Sequence, residues 1–323
     1  MKLLGITGAS GLIGGRFLRL WTKDHPDVQV RCLARHVAGH SEHPGVEWMS
    51  GDLMNEADCA EFVEGLDAVV HFAQSNSPAI SDRHWPSDLV ANISPALNLL
   101  EALRRRRGDG VCHFVFASSG GAVYGRTPED GVAFRESDHC QPLNPYGIQK
   151  LAVENYLRTA CEQGWLRATV LRISNAYGAL LAAERRQGLI GVAMARVLAG
   201  QPVRVFGSLD TVRDYVHVDD VARAFAKSLG IQSNDANYGV FNIAAGCGHS
   251  VTEVLELIGR VTGREVRLEQ SDFGKAALGL LPRVVLANGK ARDELGWEPE
   301  IELEEGIWGL MRNGQNHDSM GKK

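Results

Sequence analysis

The segment from Leu3 to Gly14 constrains the fold of this chain more than any other. A largely apolar run, Leu3–Thr7, leads into a glycine-rich turn, and a helical pattern with Phe17 and Trp21 follows. In such a strand–turn–helix unit, glycines let the backbone approach a pyrophosphate and let the helix pack on the strand, while the helix N-terminus attracts the anion. The sequence therefore predicts a dinucleotide site formed by Gly8, Gly11, Leu12, Ile13 and Gly14.

Strand-like runs then alternate with helical patterns. The runs that we interpret as later strands are Val28–Leu33, Ala68–Phe72, Cys112–Ala117 and Ala168–Ile173. Such alternation predicts an α/β fold with a Rossmann-type doubly wound parallel sheet. We assign residues 1–178 to a dinucleotide-binding domain and 179–323 mainly to a smaller C-terminal substrate-binding lobe, and we expect a segment around 214–245 to return to the first domain.

Residues suited to a nucleotide stand where predicted strands end, which is where ligands of parallel sheets bind. Asp52 is expected to accept a hydrogen bond from an adenine amine, and Leu53 to pack on its ring. Phe72, Ala73 and Gln74 are expected to line the ribose and pyrophosphate. Each residue taken singly is equally well explained by loop capping or core packing, so their common location carries the prediction.

Composition excludes several classes of protein. The 323 residues carry a net charge of −5 with 44% hydrophobic and 23% charged residues, which is ordinary for a globular domain and argues against a nucleic-acid or membrane-binding surface. No apolar run reaches the ~20 residues that span a bilayer. The six cysteines show neither a Cys-x-x-Cys pair nor a histidine at metal spacing, so we predict no metal site, no disulfide framework and a cytoplasmic location.

Ser119, Tyr146 and Lys150 form a candidate acid/base set. A phenol titrates near pH ~10 and acts as a base in the cell only if a nearby cation stabilises its anion. Residues four apart share one helix face, so Lys150 can supply that cation, and Ser119 from another strand can hold the substrate oxygen. A Tyr-x-x-x-Lys spacing also occurs by chance on surface helices, so the surrounding motifs carry the weight.

With these residues assembled, the chain resembles the extended short-chain dehydrogenase/reductase family. Within it, the closest resemblance is to the NAD(P)-dependent nucleotide-sugar epimerase/dehydratase group, typified by UDP-galactose 4-epimerase, and it runs from about Leu3 to Pro299. The blocks that carry it are Thr7–Gly14, His71–Gln74, Asn92, Phe114–Gly125, Asn144–Gly147 with Lys150, Leu171–Asn175, Arg213–Asp220 and Phe241–Ile243.

The resemblance implies that Ser119, Tyr146 and Lys150 are the catalytic triad. Ser118 is the reserve for the serine, because the loop is one residue longer than the common epimerase version. Tyr146, Lys150, Asn92 and Ser118 are also implied to contact the cofactor. The family further implies a homodimer built through two helices of each subunit.

The resemblance also implies that the smaller lobe binds a nucleotide-diphosphate sugar. Asn175 is expected near the phosphates, Phe206 beside the base and Arg213 on the diphosphate, where a guanidinium suits a dianion. The alternatives are a surface Arg213 paired with Asp214 and a Phe206 that belongs to the core.

The chain departs from the family at the cofactor ribose. NAD-using members carry an acid about 20 residues beyond the glycines, whereas Ala34 stands here and Arg35 follows. A guanidinium in place of an anion favours a 2′-phosphate, so we expect NADP(H) over NAD(H). The alternative is a solvent-facing Arg35 that tolerates either cofactor.

A second departure precedes Val284. Many epimerases have an Arg-Pro-x-Asp segment whose arginine grips the diphosphate, whereas residues 277–280 here read Ala-Leu-Gly-Leu. Either Lys275 or Arg283 replaces that arginine, or the substrate differs from a standard UDP-hexose.

We interpret the chain as an enzyme, a nucleotide-sugar 4-epimerase that oxidises the sugar transiently at C4. The alternative is an NADPH-dependent reductase of nucleotide 4-ketosugars. A small-carbonyl reductase and a non-catalytic NADP-binding regulator are weaker alternatives, the first because Arg213 suits a charged substrate and the second because Tyr146 and Lys150 are both present. Dehydration would need an acid/base pair where Gly120 and Gly121 stand.

Overall fold

A computed structural model describes residues 1–37, 39, 44–74, 84–106, 110–126, 133–185, 187–230, 237–271 and 281–320. Its strands are β1 (Leu3–Thr7), β2 (Gln29–Ala34), β3 (Val46–Ser50), β4 (Ala68–His71), β5 (Cys112–Ser119), β6 (Leu166–Ile173), β7 (Asn175–Tyr177), β8 (Val203–Phe206), β9 (Val212–Arg213), β10 (Tyr215–His217), β11 (Tyr238–Ile243), β12 (His249–Ser250), β13 (Leu268–Ser271) and β14 (Arg283–Val284). Its helices are α1 (Leu12–Asp24), α2 (Glu56–Val63), α3 (Trp85–Arg105), α4 (Gly120–Val123), α5 (Pro145–Glu162), α6 (Leu189–Leu198), α7 (Val218–Leu229), α8 (Val251–Thr262), α9 (Gly289–Leu295) and α10 (Leu303–Met320).

Seven parallel strands form the central sheet, in the order β11-β6-β5-β4-β1-β2-β3. The reversal of strand order between β1 and β4 opens a crevice at their carboxyl ends, where ligands of doubly wound sheets bind. The predicted Rossmann-type fold is confirmed. Strand β5 extends two residues beyond the predicted apolar run, because its pairing with β6 continues as far as Ser119 opposite Ile173.

Apolar cores cover both faces of this sheet. On one face, Phe17 of α1 and Phe225 of α7 pack together with a centroid distance of 6.1 Å. On the other face, Phe62 of α2, Leu99 of α3 and Leu157 of α5 belong to a second core. Burial on both faces explains why β4 begins with consecutive apolar residues, Ala68 to Val70, rather than with an alternating pattern.

A further group of elements, mainly α6, α8 and α10 and short strands, packs around its own apolar core. Met194, Ile258 and Ile307 lie in its core. Its two small sheets are β13-β8 and β12-β9-β14, and a further pair joins β10 to β7. Strand β11 lies beside β6 at the edge of the central sheet, although about 65 residues separate the two strands in the chain. Among the helices of the described segments, none combines the length and apolar character needed to cross a bilayer.

Candidate active site

The glycine turn between β1 and α1 is shaped by close contacts that only glycine permits. Gly8 has a φ of +74°, and a Cβ there would lie 2.6 Å from the Ala73 amide nitrogen. A Cβ on Gly14 would lie 2.3 Å from the Gly8 carbonyl oxygen, so α1 could not pack this closely on the turn. Both glycines are therefore required by sterics.

The start of α1 suits an anion. Gly11 caps the helix without any side-chain hydrogen bond, no acidic residue lies in the first turn, and Gly11 and Leu12 are exposed. The first N–H groups of a helix have no partner inside it, and here no side chain of the cap residue takes them. The turn thus fits the pyrophosphate of a dinucleotide, with Ile13 half-buried behind it.

The end of β4 brings Ala73 and Gln74 to the same crevice. The Gln74 amide donates to Asn92 Oδ1 at 2.6 Å, and buried Asn92 donates in turn to the Asp88 carbonyl at 2.9 Å. Phe72 packs against Phe225 with a centroid distance of 4.4 Å, so its ring belongs largely to the core. The Phe72–Ala73 backbone, rather than the Phe72 ring, lies against the glycine turn.

Arg35, Asp52 and Leu53 lie at the neighbouring strand ends. Arg35 is exposed directly after β2, and Asp52 is exposed shortly after β3, which pairs with β2. The Asp52 carboxylate accepts the Met54 N–H at 2.9 Å, so it also performs the loop-capping role. Leu53 is half-buried against the core. Neither role prevents a nucleotide contact.

The first turn of α5 places Tyr146 at the carboxyl end of β5. Pro145 begins the helix, and Asn144 caps it by accepting the Gly147 N–H at 2.8 Å. A Cβ on Gly147 would lie 2.2 Å from the Ala122 carbonyl oxygen, so this glycine lets α5 approach α4. Together these contacts fix where the phenol lies.

Ser119, Tyr146 and Lys150 meet at this point. The Ser119 hydroxyl interacts with the Tyr146 phenol. Lys150 Nζ lies 5.7 Å from the centroid of the Tyr146 ring and donates to the Ala117 carbonyl at 2.7 Å. The structure therefore brings together the three residues that the sequence singled out.

Burial dominates the electrostatics of this trio. It lowers the pKa of Lys150 to about 7, although the Glu154 carboxylate acts in the opposite direction. It raises the pKa of Tyr146 to about 12, with the Ser119 hydroxyl opposing the rise. The described residues alone thus do not bring the pKa of Tyr146 down as the sequence led us to expect, because loss of solvent outweighs the favourable contacts.

Ser118 and Ser119 point in different directions, as consecutive strand residues do. Ser118 is 4% exposed, and its hydroxyl donates a buried hydrogen bond to Glu154 Oε1 at 2.5 Å. Ser119 is half-buried and meets the phenol. The geometry therefore places Ser119, and not the reserve Ser118, beside Tyr146.

Asn175 lies beside the segment that follows Arg213, because β7 pairs with β10. Asn175 Nδ2 donates to the Asp214 carbonyl at 3.1 Å, next to Arg213 in the chain. Asp214 is fully buried, and its carboxylate accepts hydrogen bonds from the Ser174 hydroxyl and from the Ala245 and Gly246 N–H groups. The ion pairs between described residues do not include an Arg213–Asp214 pair.

Among the residues that the structure describes, no carboxylate forms an ion pair with the Arg213 guanidinium. Its Nη1 donates to the Val212 carbonyl at 2.8 Å, and burial lowers its pKa. A half-buried cation of this kind suits a diphosphate. Phe206 lies half-buried at the end of β8, in a separate small sheet.

Of Lys275 and Arg283, the two candidates to replace the missing diphosphate-binding arginine, the structure describes only Arg283. Arg283 begins β14 and pairs in register with Val212, the residue before Arg213. Its Nη1 would lie 3.3 Å from a Cβ on Gly248. Lys275 and the segment 277–280 lie outside the described residues. Arg283 is thus placed in the same three-stranded sheet as Arg213.

Sequence reasoning missed Glu154, which lies one helical turn beyond Lys150 and is 2% exposed. Its i+4 spacing from Lys150 was a signal that it shares a helix face with Lys150. Its buried partner Arg172, however, lies on β6, which a local pattern does not reveal. Within the described segments, no cluster of three or more His, Cys, Asp and Glu side chains is arranged to hold a metal ion.

The chain is similar to known proteins over nearly its whole length. The model of the NAD dependent epimerase/dehydratase family matches residues 4–244. A UDP-glucose 4-epimerase of Mycolicibacterium smegmatis is 31% identical, with 94% of this chain and 95% of the relative covered. A dTDP-4-dehydro-6-deoxyglucose reductase of Escherichia coli is 29% identical, with coverage of 77% and 75%. Among solved structures, the UDP-glucose 4-epimerase of Thermotoga maritima with UDP-glucose has a TM-score of 0.86 at 30% identity and covers 98% of this chain and 99% of its own.

Proposed function

Because the chain belongs to the NAD dependent epimerase/dehydratase family, we propose that it interconverts the C4 epimers of a nucleotide-diphosphate sugar by transient oxidation at C4. The family resemblance read from the sequence is confirmed. The observation that carries the proposal is the meeting of Ser119 and Lys150 with Tyr146 at the sheet edge that holds the glycine turn. Such an edge is where a nicotinamide and a sugar are brought together.

Each residue of the trio has a distinct task. Tyr146 accepts the proton of the C4 hydroxyl and later returns it, while Ser119 holds the C4 oxygen. Lys150 stabilises the Tyr146 anion. A bound NAD(P) would supply the hydride acceptor. Arg213, with Asn175 beside it, holds the diphosphate.

Dehydration does not fit the loop after Ser119. Gly120 carries no side chain, and a Cβ there would lie 2.3 Å from Leu286 Cδ1, so an acid at this position would require Leu286 to move. Gly121 has open space around its Cα, but the chain supplies no side chain to use it. The loop therefore lacks the acid/base pair that water elimination requires.

A C4-ketosugar reductase is the second candidate, and the exposed Arg35 at the end of β2 favours it. A reductase consumes NADPH, and a guanidinium at this position suits the 2′-phosphate. Reductases also occur among the relatives, as the Escherichia coli protein shows. The two functions share the trio and differ in whether the hydride is returned.

One assay separates them. Purified protein is given UDP-glucose or UDP-N-acetylglucosamine with catalytic amounts of NAD+ or NADP+. We expect the C4 epimer to form without net accumulation of reduced cofactor, and the Tyr146→Phe variant to form none. A protein that ignores these sugars and oxidises stoichiometric NADPH with a nucleotide 4-ketosugar would be the reductase instead.

We also propose that NADP(H) is preferred over NAD(H). Loss of the charge-assisted bond in Arg35→Ala should weaken NADPH binding by ~1.5–3 kcal/mol and leave NADH binding unchanged, as measured by titration. Arg19→Ala, which removes an exposed cation from α1, is the control. Equal losses for the two cofactors would reject the assignment.

We further propose a homodimer formed through α3 and α5. These helices expose apolar side chains: Trp85 and Leu89, four residues apart, on α3, and Ile148 and Tyr156, eight residues apart, on α5. Leu89→Glu with Tyr156→Glu should yield a monomer in sedimentation, whereas a charge at exposed Met54 should not. A wild-type monomer at micromolar concentration would contradict the proposal.

The thiols support a proposed cytoplasmic location. All six cysteines are unpaired, and four of them are buried. Free thiols persist where the environment is reducing. Localisation of a tagged protein by cell fractionation tests this point.

A further inference from the structure

A buried carboxylate lies directly behind the catalytic trio. Glu154 on α5 accepts hydrogen bonds from Arg172 Nη2 at 2.7 Å and from Ser118 Oγ at 2.5 Å. Arg172 is 5% exposed and Glu154 2%, so the ion pair is sealed from solvent. A buried pair of this kind is often no more stabilising than apolar residues of equal size, so its presence calls for another reason.

Two side chains of α5 grip consecutive residues of β5. Lys150 donates to the Ala117 carbonyl at 2.7 Å, and Glu154, one turn later, accepts from the Ser118 hydroxyl. Ser119 is the next residue. The two contacts therefore set the distance between α5, which bears Tyr146, and the strand end that bears Ser119.

The end of β5 needs such support because, in the part of the chain that the structure describes, it is paired with β6 only. Its pairing with β4 ends at Phe116, opposite His71, whereas its pairing with β6 continues to Ser119. Among the described residues, residues 117–119 thus have no strand neighbour toward β4. Contacts from α5 replace it.

Arg172, the ion-pair partner of Glu154, is itself held in place by buried side chains. The Arg172 guanidinium lies 4.9 Å from the centroid of the Tyr124 ring, and the Tyr124 hydroxyl donates to Asn242 Oδ1 at 2.6 Å. Asn242 is fully buried and donates to the Phe134 carbonyl at 3.0 Å. Glu154 therefore connects the strand end to a fixed framework.

We propose that Glu154 is a positioning residue of the reaction: through Ser118 it holds the end of β5 so that the Ser119 hydroxyl meets the Tyr146 phenol. It touches neither substrate nor cofactor. The inference rests on the proposed function for its kinetic readout, but its geometric content does not depend on which sugar is turned over.

Two variants remove the contact in different ways. Ser118→Ala deletes the hydroxyl and leaves the Glu154–Arg172 pair intact. Glu154→Asp keeps the charge for Arg172 and shortens the reach to Ser118. The matched control is Thr169→Val, because Thr169 Oγ1 forms a hydrogen bond at 2.9 Å with the ring of buried His113, also between β6 and β5 but away from Ser119.

The measurements are kcat, KM, cofactor affinity, unfolding by urea and the phenolate absorbance of Tyr146, isolated by subtracting the titration of Tyr146→Phe. We expect Ser118→Ala and Glu154→Asp to lower kcat by about 10-fold or more with KM and cofactor affinity close to wild type. Both should also raise the pKa of Tyr146, since a displaced Ser119 no longer supports the phenolate. Thr169→Val should lose comparable stability and change neither kcat nor the titration.

If either variant matches Thr169→Val in kcat and in the phenolate titration, the positioning role is overturned. The phenolate titration requires no turnover. If the wild type has no activity on nucleotide sugars, the proposed function fails, whereas the titration still decides the role of Glu154.

Discussion

Lys150→Met is expected to inactivate the protein and, near neutral pH, to make it more stable. The Lys150 side chain is 5% exposed, with one hydrogen bond to the Ala117 carbonyl and the Phe116 ring centroid at 4.7 Å. Burial lowers its pKa from 10.5 to about 7. Burial of this cation therefore lowers the free energy of unfolding, and a methionine at this position carries no charge to be buried.

The size of the effect follows from the two pKa values. A lowering by about 3.5, at ~1.4 kcal/mol for each pKa unit, corresponds to about 5 kcal/mol of wild-type stability lost below pH 7. The unfolded chain binds the proton more tightly, so wild-type stability rises as the pH increases from about 7 to 10.5. The Lys150→Met variant loses about 1 kcal/mol because it cannot form the hydrogen bond to Ala117. Its net gain in the free energy of unfolding is therefore about 4 kcal/mol at pH ~6.

Urea unfolding without added nucleotide, at pH values from ~6 to ~10, measures this difference. The gap between Lys150→Met and wild type should be widest at the acid end and should close as the pH rises. Lys290→Met is the matched control, because Lys290 also donates to a backbone carbonyl and lies 4.7 Å from a phenylalanine centroid, but solvent reaches its side chain. Parallel stability curves for wild type and Lys150→Met would refute the argument that a catalytic cation is held in a desolvated place.

Three further substitutions test the site. Tyr146→Phe should abolish turnover while cofactor affinity stays nearly intact, because the proton acceptor is lost and the ring is kept; a near-normal rate would assign the proton to another group. Ser119→Ala should reduce kcat by about 10²-fold, and an unchanged kcat would remove this hydroxyl from the site. Arg213→Ala should weaken UDP binding, measured calorimetrically, by ~1.5–3 kcal/mol without affecting the cofactor; equal binding by variant and wild type would place the diphosphate elsewhere.

The sequence was sufficient for the sheet and for placing Tyr146 and Lys150 on one helix face, because both depend on local pattern. Strand β1 has the predicted bounds, and the glycine turn follows it as expected. The spacing of Tyr146 and Lys150 needed only the geometry of a helix.

Properties that depend on contacts between distant segments could not be predicted. Which of Ser118 and Ser119 faces the phenol is decided by the side of β5 on which α5 packs. The sequence left Asp214 as a candidate partner for Arg213, but the Asp214 carboxylate instead accepts hydrogen bonds from N–H groups of the loop after β11. The raised pKa of Tyr146 likewise follows from enclosure by the whole fold, which no local pattern reports.

The place of β11 has a consequence for how the chain folds during synthesis. Strand β6 is buried along nearly its whole length, yet its outer neighbour β11 is encoded about 65 residues later. At a ribosomal rate of ~5–20 residues per second, this apolar edge waits roughly 3–13 seconds for its partner. An exposed apolar edge strand recruits other chains, so truncations that end near residue 178 should aggregate, and the nascent protein should engage holding chaperones in that interval.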